Sequence, residues 1–205
     1  MGKTIINTKF LLQENSKFFG VVVLRAFYNI IESIFADENY IIVSLDKKNF
    51  LNFINLMKNL HLYQFNILLD MWVVDLLLFN TEVENKKRYE INFLFLSKIF
   101  GKRLLVKYTV KEDEKDLNSI SNLYINSTWL EREIWDFFGL NFLGQKDLRR
   151  ILLDYGFKGN PMKKDFPLKG LVEVRFDYEE RRIIFDKIES KQPYIMLDFK
   201  NPWRC

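Results

Sequence analysis

The residue types that most often catalyse reactions or bind metals are scarce in this 205-residue sequence. It holds one histidine, His61, and one cysteine, Cys205. Structural zinc sites and iron–sulfur clusters take about four Cys or His ligands, and Cys–His or Ser–His catalysis needs a histidine beside the nucleophile. The chemistry left open is an all-carboxylate metal site, Ser–Lys catalysis, or acid–base work by carboxylates.

Carboxylates in the C-terminal part could bind a hard cation or exchange protons. The candidates are Asp147, Asp154, Asp165, Glu173 and Asp177. Each has a basic neighbour close in the sequence, which favours ion pairing over catalysis. We therefore predict no catalytic residue and no metal site in this chain, and a stand-alone carboxylate hydrolase or metal enzyme stays a weaker hypothesis.

The elements that must position these residues begin with an α+β pattern. β-branched residues predict a strand at residues 40–45, and apolar residues at helical spacing predict a helix at 47–60 with Asp46 as its N-cap. Three more strands are predicted at residues 65–78, 89–97 and 104–109, and an N-terminal helix at 18–35. This order indicates a mixed or antiparallel sheet with helices packed on it.

A further helix is predicted to start at Thr128. Thr128-Trp129-Leu130-Glu131 fits a capping box, in which the Thr hydroxyl and the Glu carboxylate bond backbone N–H groups of the first turn. Arg132 is spaced to pair with Asp136, and Gly139 supplies a left-handed stop. The α+β domain is therefore predicted to span residues 1–138.

Residues 139–205 are predicted to form an extended C-terminal arm. They contain all four prolines, and they interleave charged with aromatic side chains. A flexible solvated tail is the alternative, but such tails are depleted in aromatic residues. The composition favours a segment that wraps around a partner in an obligate complex.

The charge balance names no partner by itself. There are 31 Lys+Arg against 27 Asp+Glu, a net charge of +4 and a pI near 9.0. A basic RNA-binding or ribosomal protein is the alternative function, suggested by this pI and by the GxxG sequence Gly156-Phe157-Lys158-Gly159. No helix follows that would complete a KH module, and acidic residues nearly balance the basic ones there, so no nucleic-acid partner is expected. The apolar stretches are interrupted by charges too early to span a bilayer.

A long signature occupies the region from Trp129 to Asp177, with an echo near the C-terminus. Its members are Glu131, Arg132, Glu133, Asp136, Asp147, Arg149, Arg150, Asp154, Tyr155, Phe157, Lys164, Asp165, Phe166, Pro167, Glu173, Arg175 and Trp203. This pattern resembles the 30 kDa subunit family of respiratory complex I, the proton-pumping NADH:ubiquinone oxidoreductase. Two departures are Gln145-Lys146 and Asn160, which replace residues that include histidines in the family pattern.

The resemblance implies a cofactor-free core subunit of the hydrophilic arm. The assembly uses FMN, iron–sulfur clusters, NADH and ubiquinone, but members of this family hold none of them. They lie peripherally on the matrix side of the mitochondrial inner membrane, against the 49 kDa subunit and neighbouring hydrophilic-arm subunits, and meet the membrane only through the complex. The chain is thus expected to scaffold the quinone-side module and to be enzymatic only as part of the oxidoreductase. Heavy use of Phe, Ile, Asn and Lys also predicts that it is organelle-encoded.

The signature residues are expected at the subunit interface. Arg149, Arg150, Lys164, Asp165, Glu173 and Arg175 are expected to make paired, partly buried contacts. The aromatic residues Phe157, Phe166 and Trp203 are expected to act as anchors.

Overall fold

The structure is a computed structural model that describes residues 30–36, 40–59, 64–77, 87–188 and 203. The chain forms two compact units, Met1–Lys164 and Asp165–Cys205. In the described part, no helix is both long enough and apolar enough to cross a bilayer.

A five-stranded mixed sheet forms the centre of the first unit. Its strands are β1 (Ile31–Ala36), β2 (Tyr40–Leu45), β3 (Ile67–Asp75), β4 (Lys87–Ser97) and β5 (Lys102–Lys111). They lie in the order β1-β2-β5-β4-β3, in which β2 and β5 are parallel and the other neighbours antiparallel. The predicted α+β class with a mixed sheet is confirmed, and each strand predicted from residue 40 onward ends within three residues of its predicted bounds.

Strand β1 occupies the end of the region predicted as the N-terminal helix. Ile31–Ala36 pairs antiparallel with β2, with Phe35 opposite Ile42. The helix prediction is wrong for these residues, because pairing with the edge of β2 satisfies their backbone groups and a dense apolar run does not separate helix from strand. Residues 18–29 of that prediction lie outside the described residues.

Helix α1 (Phe50–Asn59) covers one face of the sheet. It follows a short 3-10 turn, Lys47–Asn49, and buries Phe50, Phe53, Ile54 and Met57. The ring centroid of Phe50 lies 4.4 Å from that of Phe93 and 4.9 Å from that of Tyr108. The predicted helix is confirmed over residues 50–59, but the predicted cap is wrong: the Asp46 side chain makes no capping hydrogen bond, and its carbonyl accepts one from Asn49 N–H at 3.0 Å instead.

Helix α2 (Ser127–Phe138) packs in the same core. Ile134 and Phe138 are buried, and the Phe138 ring meets Tyr89 edge-to-face at 6.5 Å. The helix ends at Gly139 with a φ of 70°, which confirms the predicted left-handed stop. Two short parallel strands, β6 (Asp116–Asn118) and β7 (Asn141–Leu143), precede and follow it.

The first unit continues well beyond Phe138, where the sequence suggested a domain end. The reason is tertiary: β7 pairs with β6, and residues 149–164 make hydrogen bonds to α2 and to the end of β3. The second unit contains an antiparallel hairpin of β8 (Val172–Asp177) and β9 (Arg182–Lys187). The partner-wrapping role of residues 139–205 stays a prediction.

Candidate functional site

The centre of the candidate site is the carboxylate of Asp136 on α2, whose side chain is fully buried. Its Oδ2 accepts hydrogen bonds from three successive backbone N–H groups, those of Ile151 at 3.2 Å, Leu152 at 3.1 Å and Leu153 at 3.0 Å. Its Oδ1 accepts one from Nη1 of Arg150 at 2.5 Å. Burial would raise the pKa of Asp136, but these backbone donors and the Arg150 guanidinium hold it below its ordinary value. The carboxylate therefore fixes the whole turn to the helix.

Arg150 connects that turn to the rest of the segment. Besides Asp136, its guanidinium donates through Nη2 to the carbonyl of Gly159 at 3.2 Å. Its central carbon lies 5.6 Å from the ring centroid of Trp135 and 5.8 Å from that of Phe157. These are the distances of cation–π contacts, so one side chain holds helix and loop residues together by charge, hydrogen bonds and ring faces.

Asn160 closes the C-terminal end of α2. Its Nδ2 donates to the carbonyl of Asp136 at 3.0 Å and to that of Trp135 at 3.4 Å. A Cβ added at Gly139 would lie 2.6 Å from Oδ1 of Asn160. Glycine is therefore required at position 139 both by its left-handed backbone and by this side chain.

Arg132 holds the same segment from another direction. Its Nε donates to the carbonyl of Arg149 at 3.0 Å and its Nη2 to that of Arg150 at 3.2 Å. Its guanidinium carbon also lies 5.3 Å from the Trp129 ring centroid. The predicted pair between Arg132 and Asp136 is wrong, because the buried Asp136 carboxylate is bonded by Arg150 and three backbone donors, which together outweigh one pair along a helix.

Glu131 is the second fully buried carboxylate of α2. It accepts hydrogen bonds from Ser119 Oγ at 2.7 Å, Ile120 N–H at 2.9 Å and Ser127 Oγ at 3.1 Å. Burial raises its pKa, and the three donors offset only part of that shift. The predicted capping box is wrong, since Thr128 lies inside the helix and Glu131 reaches across to the loop after β6. The contact that the sequence suggested as local is a tertiary one.

Asp75, at the end of β3, is a buried carboxylate that the signature did not include. It accepts hydrogen bonds from Arg88 Nη2 at 2.9 Å, Leu77 N–H at 3.1 Å and Lys164 N–H at 3.0 Å. Burial would raise its pKa, but Arg88 and the backbone donors hold it below the ordinary value. Arg88 also pairs with Glu112 at 2.9 Å. In the sequence, Asp75 is recognisable only as a charged residue at the end of an apolar strand. The fold shows that it also bonds the backbone of Lys164.

The remaining signature residues of the first unit are more exposed. Asp147 pairs with Arg149 at 2.7 Å, with side chains 39% and 77% exposed. Glu133 is half-buried, and Asp154 accepts a hydrogen bond from the backbone N–H of Tyr155 at 2.8 Å. Tyr155 itself is 99% exposed. These residues flank the anchored turn on its solvent side.

The second unit carries the other signature residues, which are Asp165, Phe166, Pro167, Glu173, Arg175 and Trp203. Arg175 on β8 pairs with Asp186 on β9 at 2.5 Å, and Trp203 is 87% exposed. Arg149, Arg150 and Arg175 thus form ion pairs within the chain. Their place in an interface stays a prediction.

The arrangement can fix the backbone of the turn at residues 150–153 and present nearby side chains to solvent or to a partner. Among the described residues, no three His, Cys, Asp or Glu side chains come together as metal ligands would. Its buried carboxylates, Asp75, Glu131 and Asp136, each accept bonds from backbone N–H groups.

Comparisons with known proteins address the family. The profile described as respiratory-chain NADH dehydrogenase, 30 kDa subunit, matches residues 43–172. The NADH-ubiquinone oxidoreductase subunit 9 of Reclinomonas americana is 36% identical over 194 residues, which cover 93% of this chain and 92% of the relative. The NADH dehydrogenase [ubiquinone] iron-sulfur protein 3 of Arabidopsis thaliana is 40% identical over 145 residues, 70% of this chain and 73% of the relative.

A solved structure shows the same fold. The trypsin-resistant fragment (1–134) of Nqo5 superposes with a TM-score of 0.53 at 23% identity, covering 65% of this chain and 99% of the fragment. The resemblance indicated by the signature from Glu131 onward is thus confirmed by both the profile and the relatives. The chain belongs to the 30 kDa subunit family of the respiratory-chain NADH dehydrogenase.

Proposed function

We propose that this chain is a cofactor-free scaffold in the hydrophilic arm of NADH:ubiquinone oxidoreductase, where it helps to hold the quinone-side module together. Its family and the names of its relatives support membership of that oxidoreductase. The chain then takes part in electron transfer from NADH to ubiquinone as a structural component. FMN, the iron–sulfur clusters, NADH and ubiquinone are bound by other subunits of the assembly.

The single observation that carries this proposal is the turn held by Asp136. Three backbone donors and Arg150 fix it to α2, yet it presents large side chains to solvent: Leu152 is 59% exposed and Tyr155, just beyond it, 99% exposed. Large apolar side chains on a held backbone lose little entropy on binding, which is the property of a preorganised interface. A surface loop with no binding role does not require a buried carboxylate such as that of Asp136 to fix its backbone.

We assign the 49 kDa subunit as the partner of this surface, with neighbouring hydrophilic-arm subunits around it. The corresponding location is the matrix side of the mitochondrial inner membrane, with membrane contact only through the complex. The assignment follows from what the family resemblance implies. The RNA-binding alternative receives no support from the comparisons.

The experiment is a native-gel separation of gently solubilised membranes from cells that express Tyr155→Ala. In-gel NADH dehydrogenase staining and mass spectrometry then locate the chain. We expect less assembled complex and unchanged turnover per assembled complex, because an anchor is lost and no catalytic group is. Phe100→Ala is the matched control, an exposed aromatic residue in the β4–β5 turn.

Two outcomes contradict the proposal. A Tyr155→Ala complex that assembles fully but turns over slowly excludes a pure scaffold. Migration of the wild-type chain away from the active band removes it from the oxidoreductase altogether. A photo-crosslinker at Leu152 tests the partner, and adducts with a subunit other than the 49 kDa one overturn that assignment.

A further inference from the structure

Strand β3 forms one edge of the five-stranded sheet, so in the described part of the chain its outer side has no strand beside it. The N–H of Leu76, directly after β3, donates to the carbonyl of Arg88 at 2.7 Å. Successive residues of an antiparallel strand direct their backbone groups to opposite sides. The backbone groups of Met71, Val73 and Asp75 therefore point away from β4, toward the outer edge.

The composition of β3 favours pairing at this edge. Four of its large apolar side chains are 36–41% exposed: Ile67, Leu69, Trp72 and Val74. A long apolar edge strand is a template on which a strand of another chain can add. Exposed segments of high β-propensity and low charge have the same tendency. Without protection, β3 would therefore tend to join two copies of the chain edge to edge.

Asp70 interrupts the edge in the middle of this apolar strand. The pairing of β3 with β4 shifts in register between Leu68 and Asp70. Oδ1 of Asp70 accepts a hydrogen bond from the backbone N–H of Met71 at 2.8 Å, so one of the outward donors is already bonded within the chain. Register irregularities and charged side chains are two means by which native sheets avoid pairing at their edges.

Asn126 covers a backbone acceptor at the same irregularity. It occupies the N-cap position of α2, yet its side chain makes no capping hydrogen bond. Its Nδ2 donates instead to the carbonyl of Leu68 at 2.7 Å. At the other end of the strand, the Lys164 N–H bonds the Asp75 carboxylate at 3.0 Å, which places the chain itself beside that end. The edge is thus covered from both ends.

We propose that Asp70 and Asn126 prevent β3 from adding a strand of a second copy of this chain. A second copy is the partner that they exclude, because two identical edges can pair symmetrically and each presents the same unpaired backbone groups. The two side chains then keep the free chain from associating through its sheet. This inference concerns the chain by itself and does not depend on the proposed function.

The test measures self-association of the purified full chain. Asp70→Val is combined with Asn126→Ala to free the Met71 N–H and the Leu68 carbonyl. We expect sedimentation velocity to show an association constant about tenfold larger than that of the wild type, because more backbone bonds can form across the edge. The matched control combines Asp113→Val with Asn122→Ala, the same changes at exposed positions in the β5–β6 turn and the loop before α2. It should associate as the wild type does.

Amide hydrogen exchange separates strand addition from other association. In the associated double variant, the peptide that contains β3 should exchange more slowly than in the wild type, while the peptide that contains β5 keeps its rate. Equal association of the double variant and its control overturns the inference, and so does association without slower exchange in β3. Faster exchange in β5 identifies unfolding as the cause and also overturns it.

A conservative substitution tests the role of the Asp70 acceptor. Asp70→Asn retains an oxygen that can accept from the Met71 N–H, whereas Asp70→Val retains none. In the Asn126→Ala background, Asp70→Asn should therefore associate less than Asp70→Val. Equal association of the two would show that the hydrogen bond to Met71 does not protect the edge.

Discussion

Two carboxylates five residues apart on α2 have pKa values shifted in opposite directions, although both side chains are fully buried. Asp136 has one cationic partner and three backbone donors on a single oxygen, so its charged form is favoured. Glu131 has two hydroxyl donors and one backbone donor but no cation bonded to it, so burial prevails and its pKa rises. The number and charge of the donors decide the sign.

Asp136→Asn should destabilise the chain. The amide brings an NH₂ group against the partly buried Arg150 guanidinium or against the three backbone donors, so either the Arg150 Nη1 or buried N–H groups lose their acceptor on residue 136. We expect a loss of about 3 kcal/mol in the free energy of unfolding, measured by urea denaturation. Asp147→Asn, in the exposed pair with Arg149, is the control and should leave the urea midpoint unchanged. Equal midpoints for the two variants contradict the anchor role.

Glu131→Gln should flatten the pH dependence of stability. The pKa of Glu131 is raised above its ordinary 4.5, so the folded state holds its proton where the unfolded state has lost it. This group's contribution is therefore greatest below pH 4.5 and decreases as pH rises toward the folded-state pKa. Urea midpoints measured from pH 4 to 8 should fall less steeply for Glu131→Gln than for the wild type. A parallel pair of curves would falsify the assignment.

At the scale of elements, helix α2 connects several parts of the first unit through hydrogen bonds of its polar side chains and its last carbonyls and through packing of its apolar face. Glu131 bonds the loop after β6, Asp136 bonds the turn at residues 150–153, and the last carbonyls accept from Asn160. Its apolar side meanwhile packs through Ile134 and Phe138. One helix thus couples the sheet to a long segment without regular structure.

Gly139→Ala tests the end of that helix. The substitution imposes a left-handed conformation on an L side chain and places Cβ 2.6 Å from Asn160 Oδ1. Gly156→Ala is matched for φ, at +74°, but has nothing within 4 Å of the added Cβ. We expect Gly156→Ala to cost about 1 kcal/mol and Gly139→Ala about 2–3 kcal/mol in thermal or urea unfolding.

The extra cost at Gly139 should depend on Asn160. In an Asn160→Ala background the contact is absent, so the penalty for Gly139→Ala should fall to that of Gly156→Ala. An unchanged penalty in this double-mutant cycle means that the backbone conformation alone accounts for it.

At the scale of the whole molecule, the chain separates a unit with a core from a unit without one in its described part. Among the described residues, the buried apolar ones all lie between Ile41 and Phe142. At the end of the first unit, the backbone N–H of Lys164 donates a hydrogen bond to the Asp75 carboxylate. The core that stabilises the described part of the chain therefore belongs to the first unit.

Truncation after Lys164 should separate the stability of the first unit from incorporation into the oxidoreductase. Because no described residue from 165 to 188 is buried, we expect residues 1–164 to keep the far-UV circular dichroism of the sheet and the urea midpoint of the full chain. Native gels should show that the truncated chain is no longer incorporated into the oxidoreductase. A midpoint that falls sharply on truncation shows instead that the second unit supports the first.

Much of the fold follows from local pattern. The strand at Tyr40–Leu45, the apolar face of α1 and the stop at Gly139 depend on neighbours in sequence, and all are as predicted. Ile31–Ala36 is the exception, since an apolar run becomes a strand only when a strand edge is available to pair with it. The family, too, could be identified from the spacing of the signature residues.

The sequence by itself determined the residue types of the candidate site, its family and the absence of a Cys/His ligand set in this chain. Only the tertiary structure decided which charges meet. Arg132, Glu131 and Asp136 were expected to bond within one helix, yet each bonds a segment distant in the chain. The physical reason for Glu131 and Asp136 is that a buried carboxylate needs several donors at once, and one helical turn cannot supply them. Those donors come together only when the chain has folded.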